Sequence, residues 1–411
     1  MRIEIITIGD ELLLGQIVDL NSSFIAQALL AHHFRVNQTT CVSDNKEAMR
    51  AQIHRAFEAS DVVIITGGLG PTKDDLTKAV LAEYFGSGWR WDEEALNTIS
   101  SFFSKRNREL KEMNKKQAYL PDNCQTIPNH WGTAPGMLFQ RHGKILASLP
   151  GVPSEMQKML TTYVLPHIIQ HFKPKPVWVQ HFLTVSIPES LLSERLAFVE
   201  DVLPENMSLA YLPNLNQVRL RLTCEVENQD TDHKLFTRFT EQIKQELGPN
   251  LVTDSALSLP EFIIKRLQSQ NKTLALAESC TGGLIANSLV SIPGASSVFK
   301  GGIISYSNES KIALLHVQES DLKLHGAVSA PVVEQMARNA QSVLGADYAL
   351  SVSGIAGPEG GSELKPVGTV FIGIATPNGV WHQQVFHPGE RLKVLQRTCV
   401  SALDLLRMEL K

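Results

Sequence analysis

A serine with the surroundings of a nucleophile or a ligand-binding hydroxyl stands at residue 279. The run LALAE (274–278) precedes Ser279, Cys280 and Thr281, and two glycines and a helical pattern follow. A strand that turns into a helix in this way can expose a hydroxyl beside backbone amides. Nucleophilic catalysis, phosphate binding and plain helix capping all use that arrangement, so the local residues leave three interpretations open.

A nucleophilic serine needs a base, and no common local motif supplies one. The G-x-S-x-G elbow is absent, and Gly282 stands where the S-x-x-K motif would place a lysine. The later segment GGIISYSNESK offers Tyr306 and Lys311, and burial of a lysine lowers its pKa enough for it to accept a proton. Cys280 is a rival nucleophile because helix N-termini lower thiol pKa values, although small buried cysteines more often serve packing.

Two segments nearer the C-terminus supply groups that could hold a substrate. SGIAGPEGG (353–361) combines Ser353 with a second glycine-rich loop. Arg391 can bind a phosphate as a bidentate fork. Both are candidates for binding rather than for the chemical step.

The N-terminal part has three strand ends that carry glycines and acids. GGLGPTKDDLT (67–77) follows an apolar strand, and its glycines let backbone amides approach a phosphate. Acids at strand ends offer hard oxygen ligands for Mg²⁺. Together the three ends predict a nucleotide or pyrophosphate site with a divalent metal, although glycines also make turns and acids also cap helices. The predicted phosphate-binding residues are Gly67, Gly68, Gly70 and Thr72, and the predicted metal ligands are Asp75, Asp74, Asp10 and Glu155.

The elements that position these residues alternate between strand and helix at both ends of the chain. Apolar runs such as DVVIITGG (61–68) are typical of buried parallel strands, whose ligands bind beyond the carboxyl ends. NSSFIAQALLAHH (21–33) predicts a helix capped by Asn21 or Ser22. The expected fold class is therefore α/β, with two domains built on parallel-rich sheets.

A smaller α+β domain is expected between them. After the breaker KPKPVW (173–178), strand-like runs and two amphipathic helical patterns follow one another. No catalytic constellation stands out in this region. The predicted domains are residues 1–171, 172–253 and 254–411.

Composition narrows the class of protein and its partners. The 411-residue chain has a formal net charge of −4, which gives no general electrostatic reason to bind nucleic acid. Five dispersed cysteines without a CxxC pair fit reduced thiols better than disulfides or a zinc site. With no long apolar segment and no signal-peptide pattern, we expect a cytoplasmic protein without membrane contact.

The C-terminal motifs AESCTGGL, GGIISYSNESK, GAVS and SGIAGPEGG resemble the C-terminal domain of the CinA family. The resemblance implies a nicotinamide mononucleotide deamidase, which forms nicotinate mononucleotide and ammonia without a cofactor. It implies Ser279 as the nucleophile and Tyr306 with Lys311 as the activating pair, Lys311 being the base. Ser353 stands where the family usually has threonine. The residues that it assigns to substrate binding are Thr281, Gly283, Ser353, Gly354 and Arg391.

The N-terminal motifs TGGLGPTKDDLT, GTAPGM and LPGVPSEM resemble the molybdopterin-binding fold in the version found in the same family. That resemblance implies a metal-dependent ADP-ribose pyrophosphatase, with Mg²⁺ or a similar ion and Asp75 as the foremost ligand. The middle domain is similar to the family's KH-like linker. Small-molecule nucleotides are the expected partners, and the family resemblance implies a homodimer.

Three other functions are compatible with these motifs. The N-terminal domain could carry the main activity while the C-terminal domain only binds a ligand. The chain could act as a partner protein connected with competence or DNA damage. Adenylyl-molybdopterin and ADP-ribose both contain a pyrophosphate, so the glycine loop does not choose between them.

Overall fold

The computed structural model describes residues 1–72 and 75–410. The chain divides into two compact units, one comprising Met1–Pro176 and the other beginning at Val177. Asp74, one of the predicted metal ligands, lies outside the described residues.

The first unit is an α/β domain. Its strands are β1 (Ile3–Ile8), β2 (Gln38–Val42), β3 (Val62–Thr66), β4 (Trp89–Trp91), β5 (Tyr119–Pro121), β6 (Gln125–Ile127), β7 (Gly136–Arg141) and β8 (Lys144–Leu149). Its helices are α1 (Asp10–Leu13), α2 (Leu20–Leu30), α3 (Lys46–Ala59), α4 (Thr77–Phe85), α5 (Glu93–Ser104), α6 (Glu112–Lys115), α7 (Pro153–Met159) and α8 (Leu165–Phe172). A 3₁₀ turn, Lys116–Ala118, follows α6, and a π-helical segment, Leu160–Val164, joins α7 to α8.

The main sheet of this unit has the strand order β2-β1-β3-β8-β7-β6. The first four strands run parallel, and β7 and β6 are antiparallel to their neighbours. Ile3 and Ile5 pack into one core cluster, whereas Ile6 and Ile8 pack into another. Burial on both faces explains why apolar side chains occur on both sides of strand β1, and each fully buried isoleucine contributes about 1.5–3 kcal/mol to folding.

One local prediction in this unit was wrong. Helix α2 begins at Leu20, and its N-cap is Asp19 rather than Asn21 or Ser22. The Asp19 carboxylate accepts a hydrogen bond from the Ser22 amide at 2.9 Å. Asn21 instead donates to Thr66 and to the Gly151 carbonyl. The aspartate one turn earlier satisfies the helix amide, which frees the Asn21 amide to tie neighbouring strand ends together.

The second unit contains the remaining elements. Its strands are β9 (Val177–Val185), β10 (Met207–Asn214), β11 (Gln217–Glu225), β12 (Leu251–Thr253), β13 (Leu274–Glu278), β14 (Phe299–Ile304), β15 (Tyr348–Gly354), β16 (Thr369–Thr376) and β17 (Gly379–Phe386). Its helices are α9 (Glu189–Glu200), α10 (Gln229–Leu247), α11 (Leu259–Ser269), α12 (Leu284–Val290), α13 (Asn308–Leu315), α14 (Glu319–His325), α15 (Ala330–Leu344) and α16 (Arg391–Glu409).

Two sheets organise this unit. An antiparallel sheet with the order β10-β11-β9-β12 packs against α9 and α10. A five-stranded sheet has the order β14-β13-β15-β16-β17, in which β14, β13 and β15 are parallel and the last two strands are antiparallel. The predicted fold class is confirmed: two α/β regions with parallel-rich sheets and a small α+β region between them in the chain.

The five-stranded sheet brings three carboxyl strand ends to one edge. They are the ends of the parallel strands β14, β13 and β15, which are followed by Ser305, Ser279 and the segment after Gly354. Ligands of parallel sheets bind at such an edge. Among the described residues, no helix is both long enough and apolar enough to cross a membrane.

Candidate active site

Ser279 begins a tight turn between β13 and α12. Its amide donates to the Val352 carbonyl at 3.1 Å, which anchors the turn to the neighbouring strand β15. Gly282 and Gly283 have φ values of 60° and 99°, a left-handed conformation in which a side chain is strained. Gly283 is the N-cap of α12. The two glycines therefore let the chain reverse within four residues and leave the Ser279 side chain at the strand end.

The Glu278 side chain stabilises this turn by accepting hydrogen bonds from its backbone amides. Its buried carboxylate accepts hydrogen bonds from the amides of Gly283 at 3.0 Å, Ile285 at 3.2 Å and Ala286 at 2.8 Å. Those amides belong to the first turn of α12, where no intrahelical acceptor exists. Sequence reasoning did not assign a role to Glu278, and an acid that ends an otherwise apolar strand was the available signal.

Lys311 reaches Ser279 from helix α13. The side chain is 1% exposed. Its Nζ lies 3.0 Å from Ser279 Oγ, 2.8 Å from the Ser305 carbonyl oxygen and 3.4 Å from the Tyr306 carbonyl oxygen. A capping box between Ser307 and Ser310 starts α13 and sets the direction of the helix that carries the lysine. The predicted serine and lysine, separated by 32 residues, thus lie within hydrogen-bonding distance.

Burial controls the charge of Lys311. Desolvation lowers the pKa of its ammonium group below the usual value, although the nearby Cys280 and Glu309 act in the opposite direction. Among the ion pairs of the described residues, none includes Lys311. In the neutral amine, two N–H bonds can donate to the two backbone carbonyls while the lone pair faces the Ser279 hydroxyl. The environment therefore suits a lysine that accepts a proton.

The rival nucleophile Cys280 has the opposite environment. Its side chain is 8% exposed. Burial raises the pKa of its thiol to about 12. Because the thiolate is the reactive form, a thiol with that pKa is inert near neutral pH. Burial outweighs the helix N-terminus here, and Cys280 is a packing residue.

Two residues near the pair in the chain, Thr281 and Ser305, have hydroxyl groups that are unpaired among the described residues. Thr281 Oγ1 and Ser305 Oγ are buried, and within the described part of the chain neither has a hydrogen-bond partner. An unpaired buried hydroxyl costs about 1–3 kcal/mol, which a bound polar group would recover. Thr281 was predicted as a substrate-binding residue, and Ser305 was not.

Tyr306 and Arg391 contact one another at the outer edge of the site. The Arg391 guanidinium donates to the Tyr306 phenol oxygen at 3.1 Å and to the Gly357 carbonyl at 2.8 Å. Tyr306 is 62% exposed. Its phenol lies with Arg391, and only its backbone carbonyl approaches Lys311. The Tyr306 side chain therefore contacts Arg391, which was predicted to bind substrate, and it has no hydrogen bond to Ser279 among those of the described residues.

Ser353 and Gly354 end the neighbouring strand β15. The Ser353 hydroxyl donates to the Ala327 carbonyl at 2.8 Å, which ties the strand to the segment before α15. A side chain at Gly354 would meet Val370 at 2.7 Å. Both residues therefore shape the edge of the sheet. The Ser353 hydroxyl already donates its hydrogen to the protein, so it could bind a substrate only as an acceptor.

The first unit has its own cleft, at the carboxyl ends of β1, β3 and β8. Its cavity volume is about 420 Å³. The lining residues that were predicted for this site are Gly67, Gly68, Gly70, Asp75 and Glu155. A parallel sheet brings its strand ends together, so residues distant in sequence share one cleft.

Other predicted residues of this cleft have different positions. The Asp75 carboxylate accepts a hydrogen bond from the Thr72 amide at 2.9 Å and another from the Thr72 hydroxyl. Thr72 lies in a neighbouring cleft rather than in the first one. Asp10 is not among the lining residues, because its carboxylate turns to the Asp44 amide. Glu11 and Asp44, which were not among the predicted metal ligands, line the cleft instead.

Protein-family models match three consecutive segments of the chain. They are the probable molybdopterin binding domain at residues 4–170, the damage-inducible protein CinA KH domain at 180–253 and the CinA C-terminal domain at 256–410. A competence-damage inducible protein of Caldicellulosiruptor bescii is 42% identical over 412 residues, with 100% of this chain and 99% of that protein covered. The chain belongs to the CinA family.

Two further proteins are similar to this chain. A CinA-like protein of Dictyoglomus thermophilum is 39% identical over 99% of this chain and 98% of its own length. The crystal structure of competence/damage inducible protein CihA from Agrobacterium tumefaciens has 38% sequence identity and covers 37% of this chain and 93% of its own, with a TM-score of 0.36.

The divalent metal predicted for the first unit of this CinA protein would need side chains that can coordinate it. Within residues 1–72 and 75–410, no three His, Cys, Asp or Glu side chains come together in a group that could hold a metal. Burial raises the pKa of the Glu155 carboxyl, whose Oε2 accepts from Asn129 at 2.6 Å. Asp75 and Glu155 fit Mg²⁺ only in the mode in which substrate phosphates and water complete the coordination.

Proposed function

We propose that this CinA protein hydrolyses the carboxamide of nicotinamide mononucleotide to nicotinate mononucleotide and ammonia. Ser279 is the nucleophile and Lys311 is the general base. The observation that carries the proposal is the buried Lys311 Nζ at 3.0 Å from Ser279 Oγ. The family resemblance of the surrounding motifs supports the choice of substrate.

The reaction follows from the groups around this pair. Neutral Lys311 takes the proton of the Ser279 hydroxyl as Oγ bonds to the carboxamide carbon. The lysine then gives that proton to the departing nitrogen, so that the C–N bond breaks and ammonia leaves an ester on Ser279. Water attacks the ester with Lys311 again as the base, and the lysine passes that proton to the departing Ser279 Oγ. The product acid then loses its own proton to solvent and leaves as the carboxylate. The whole cycle uses only groups of the chain and one water molecule.

We assign the substrate contacts from the charge of Arg391 and from the hydroxyl groups that have no hydrogen-bond partner in the described part of the chain. Thr281 Oγ1 has no hydrogen-bond partner within the described residues and lies two positions after the nucleophile in the chain, so it is the foremost candidate to bind the carboxamide. The exposed Arg391 guanidinium is suited to the 5′-phosphate, with Tyr306 orienting it.

The test is ammonia release by the full chain from nicotinamide mononucleotide, with nicotinamide riboside and nicotinamide as comparison substrates. Duplicate reactions contain EDTA. We expect release from the mononucleotide, unaffected by EDTA, and weaker turnover of the two compounds that lack the phosphate. Absence of ammonia from all three would refute the deamidase and leave a C-terminal domain that only binds a ligand.

We propose hydrolysis of a nucleotide pyrophosphate such as ADP-ribose as a second activity, located in the first unit. Its support is the cleft at three parallel strand ends that combines glycines with Asp75 and Glu155. A bound divalent cation would neutralise pyrophosphate oxygens and activate water. The test is hydrolysis of ADP-ribose with and without Mg²⁺, in wild type and Asp75→Asn. Equal rates in the two proteins would remove Asp75 from this activity.

A further inference from the structure

Gln117 is a buried amide without a partner. It lies in the 3₁₀ turn Lys116–Ala118 and is 3% exposed. Within the described residues, neither its Nε2 nor its Oε1 has a hydrogen-bond partner. Burial of an amide without hydrogen bonds is unfavourable for each group left unpaired. A buried glutamine with both amide groups unpaired indicates hydrogen bonds to a bound molecule.

Gln117 lies between two clefts. It lines the cleft at the strand ends and also a second cleft with a cavity volume of about 320 Å³. The two clefts share Gly70, Pro71 and Asp75, so the second one continues the first around the glycine loop. A volume of this size lies at the lower end of the range for small-molecule sites.

An aromatic surface forms part of the second cleft. Trp89 lines it and is 40% exposed. Its indole stacks on the Tyr119 ring with centroids 5.4 Å apart and an interplanar angle of 12°. The stacked pair holds the indole flat, which leaves a rigid apolar surface beside the unpaired amide. An exposed aromatic plane next to a buried donor–acceptor pair suits a planar nitrogen heterocycle.

Lys78 holds the backbone that carries this glutamine. Its Nζ donates to the backbone carbonyls of Gln117 at 2.9 Å and Tyr119 at 3.1 Å. These bonds hold the 3₁₀ turn and the adjacent strand β5 in one arrangement. The backbone at Gln117 is therefore ordered before any ligand arrives, so that binding has only to order the side chain.

We infer that the second cleft is the nucleobase subsite of the nucleotide site in the first unit, with Gln117 hydrogen-bonding the base edge and Trp89 stacking on its face. The inference rests on the second proposed function in one respect: a diphosphate must bind in the first cleft, at the ends of β1, β3 and β8. A carboxamide offers one donor and one acceptor side by side, which matches the paired donor and acceptor on the edge of a base such as adenine.

The experiment compares a diphosphate that carries a base with one that does not. Calorimetric titration of the full chain, with Mg²⁺ throughout, uses α,β-methylene-ADP and methylenediphosphonate, neither of which can be hydrolysed at the bridging carbon. The wild type is expected to bind the nucleotide more tightly. Gln117→Leu should weaken nucleotide binding by about 5- to 150-fold and leave methylenediphosphonate unchanged.

A second variant keeps the test independent of any effect on folding. Trp89→Leu should cause a selective loss of similar size, because stacking on an aromatic side chain is worth about the same as a paired base edge. Trp91→Leu, on the same strand and outside the lining of the second cleft, is its matched control. The exposed Gln125, in β6, gives the control Gln125→Leu.

Each outcome decides between defined alternatives. Equal affinity of the wild type for the two probes would overturn the base subsite while leaving a diphosphate site in place. Equal weakening of both probes by Gln117→Leu would make the glutamine a structural residue of the cleft, and no binding of either probe would exclude the nucleotide site as well. Unliganded Gln117→Leu should melt no lower than the wild type, since the substitution removes an unpaired amide.

Discussion

Replacing Glu278 by glutamine should loosen the turn that carries Ser279. The Glu278 carboxylate accepts three amide hydrogens, two on Oε2 and one on Oε1. A glutamine has one acceptor oxygen, so its NH₂ group must face at least one of those amides. If the glutamine oxygen takes the place of Oε2, the Ala286 amide loses its acceptor. The other two hydrogen bonds remain but become weaker, because their acceptor no longer carries a negative charge.

The size of the effect follows from these contacts. A hydrogen bond to a charged group contributes about 1.5–3 kcal/mol, and weakening of the other two adds a further part of that amount. The smaller desolvation cost of a neutral amide offsets some of the loss, so we expect local opening to become easier by about 2–4 kcal/mol. That corresponds to amide exchange about 30- to 700-fold faster at Gly283, Ile285 and Ala286.

The assay is hydrogen exchange by mass spectrometry on the peptide that covers the turn and α12, together with ammonia release. Displacement of a nucleophile by about 1 Å costs about 100-fold in rate, so kcat/KM should fall by roughly that factor. Glu319→Gln is the matched control, because Glu319 forms an exposed ion pair with Lys323 on a different helix, α14. Unchanged exchange and unchanged turnover in Glu278→Gln would refute the role assigned to this carboxylate.

Three further predictions concern side chains around the same site. Burial lowers the pKa of Lys311, so between that lowered pKa and the usual value of 10.5 the folded state binds fewer protons than the unfolded state. The stability of the wild type should therefore rise with pH across that window, and the change in urea midpoint between pH 8 and pH 10 should be smaller in Lys311→Met by the contribution of this lysine. An identical slope in both proteins would contradict the desolvated lysine. Tyr306→Phe removes the acceptor for Arg391, so KM for the mononucleotide should rise about 5-fold, whereas a 100-fold loss in kcat would place the phenol at the reacting atoms. Because burial raises the pKa of Cys280 to about 12, iodoacetamide at pH 8 should modify Cys41 long before Cys280, as peptide mapping will show; rapid alkylation of Cys280 would contradict its assignment as a packing residue.

Apolar periodicity made much of the fold predictable. The strand Val62–Thr66 is buried throughout, and its uninterrupted apolar sequence identified it as an inner parallel strand. Lys311 was chosen as a candidate base from its residue type and from the family resemblance. The contact with Ser279 itself depends on the pairing of β13 with β14, which no local pattern encodes.

Other features depend on tertiary context and could not be obtained from local patterns. Strand β17 was not predicted, because GVWHQQVF (379–386) is an edge strand with mixed polarity and partial exposure. The choice between a reactive and an inert Cys280 required its burial, since a helix N-terminus and an apolar environment shift a thiol pKa in opposite directions. The bonds from Thr72 to Asp75 likewise close a turn whose geometry the residue types do not specify.

The most direct test of the Ser279–Lys311 pair is ammonia release from nicotinamide mononucleotide by Ser279→Ala and Cys280→Ala, measured beside the wild type. Ser279 Oγ is the only protein atom that forms a covalent bond to the substrate in the proposed reaction. Ser279→Ala should therefore lose activity by at least about 1,000-fold. Cys280→Ala should stay within a few-fold of the wild type. Release retained in Ser279→Ala, or lost only in Cys280→Ala, would contradict the account.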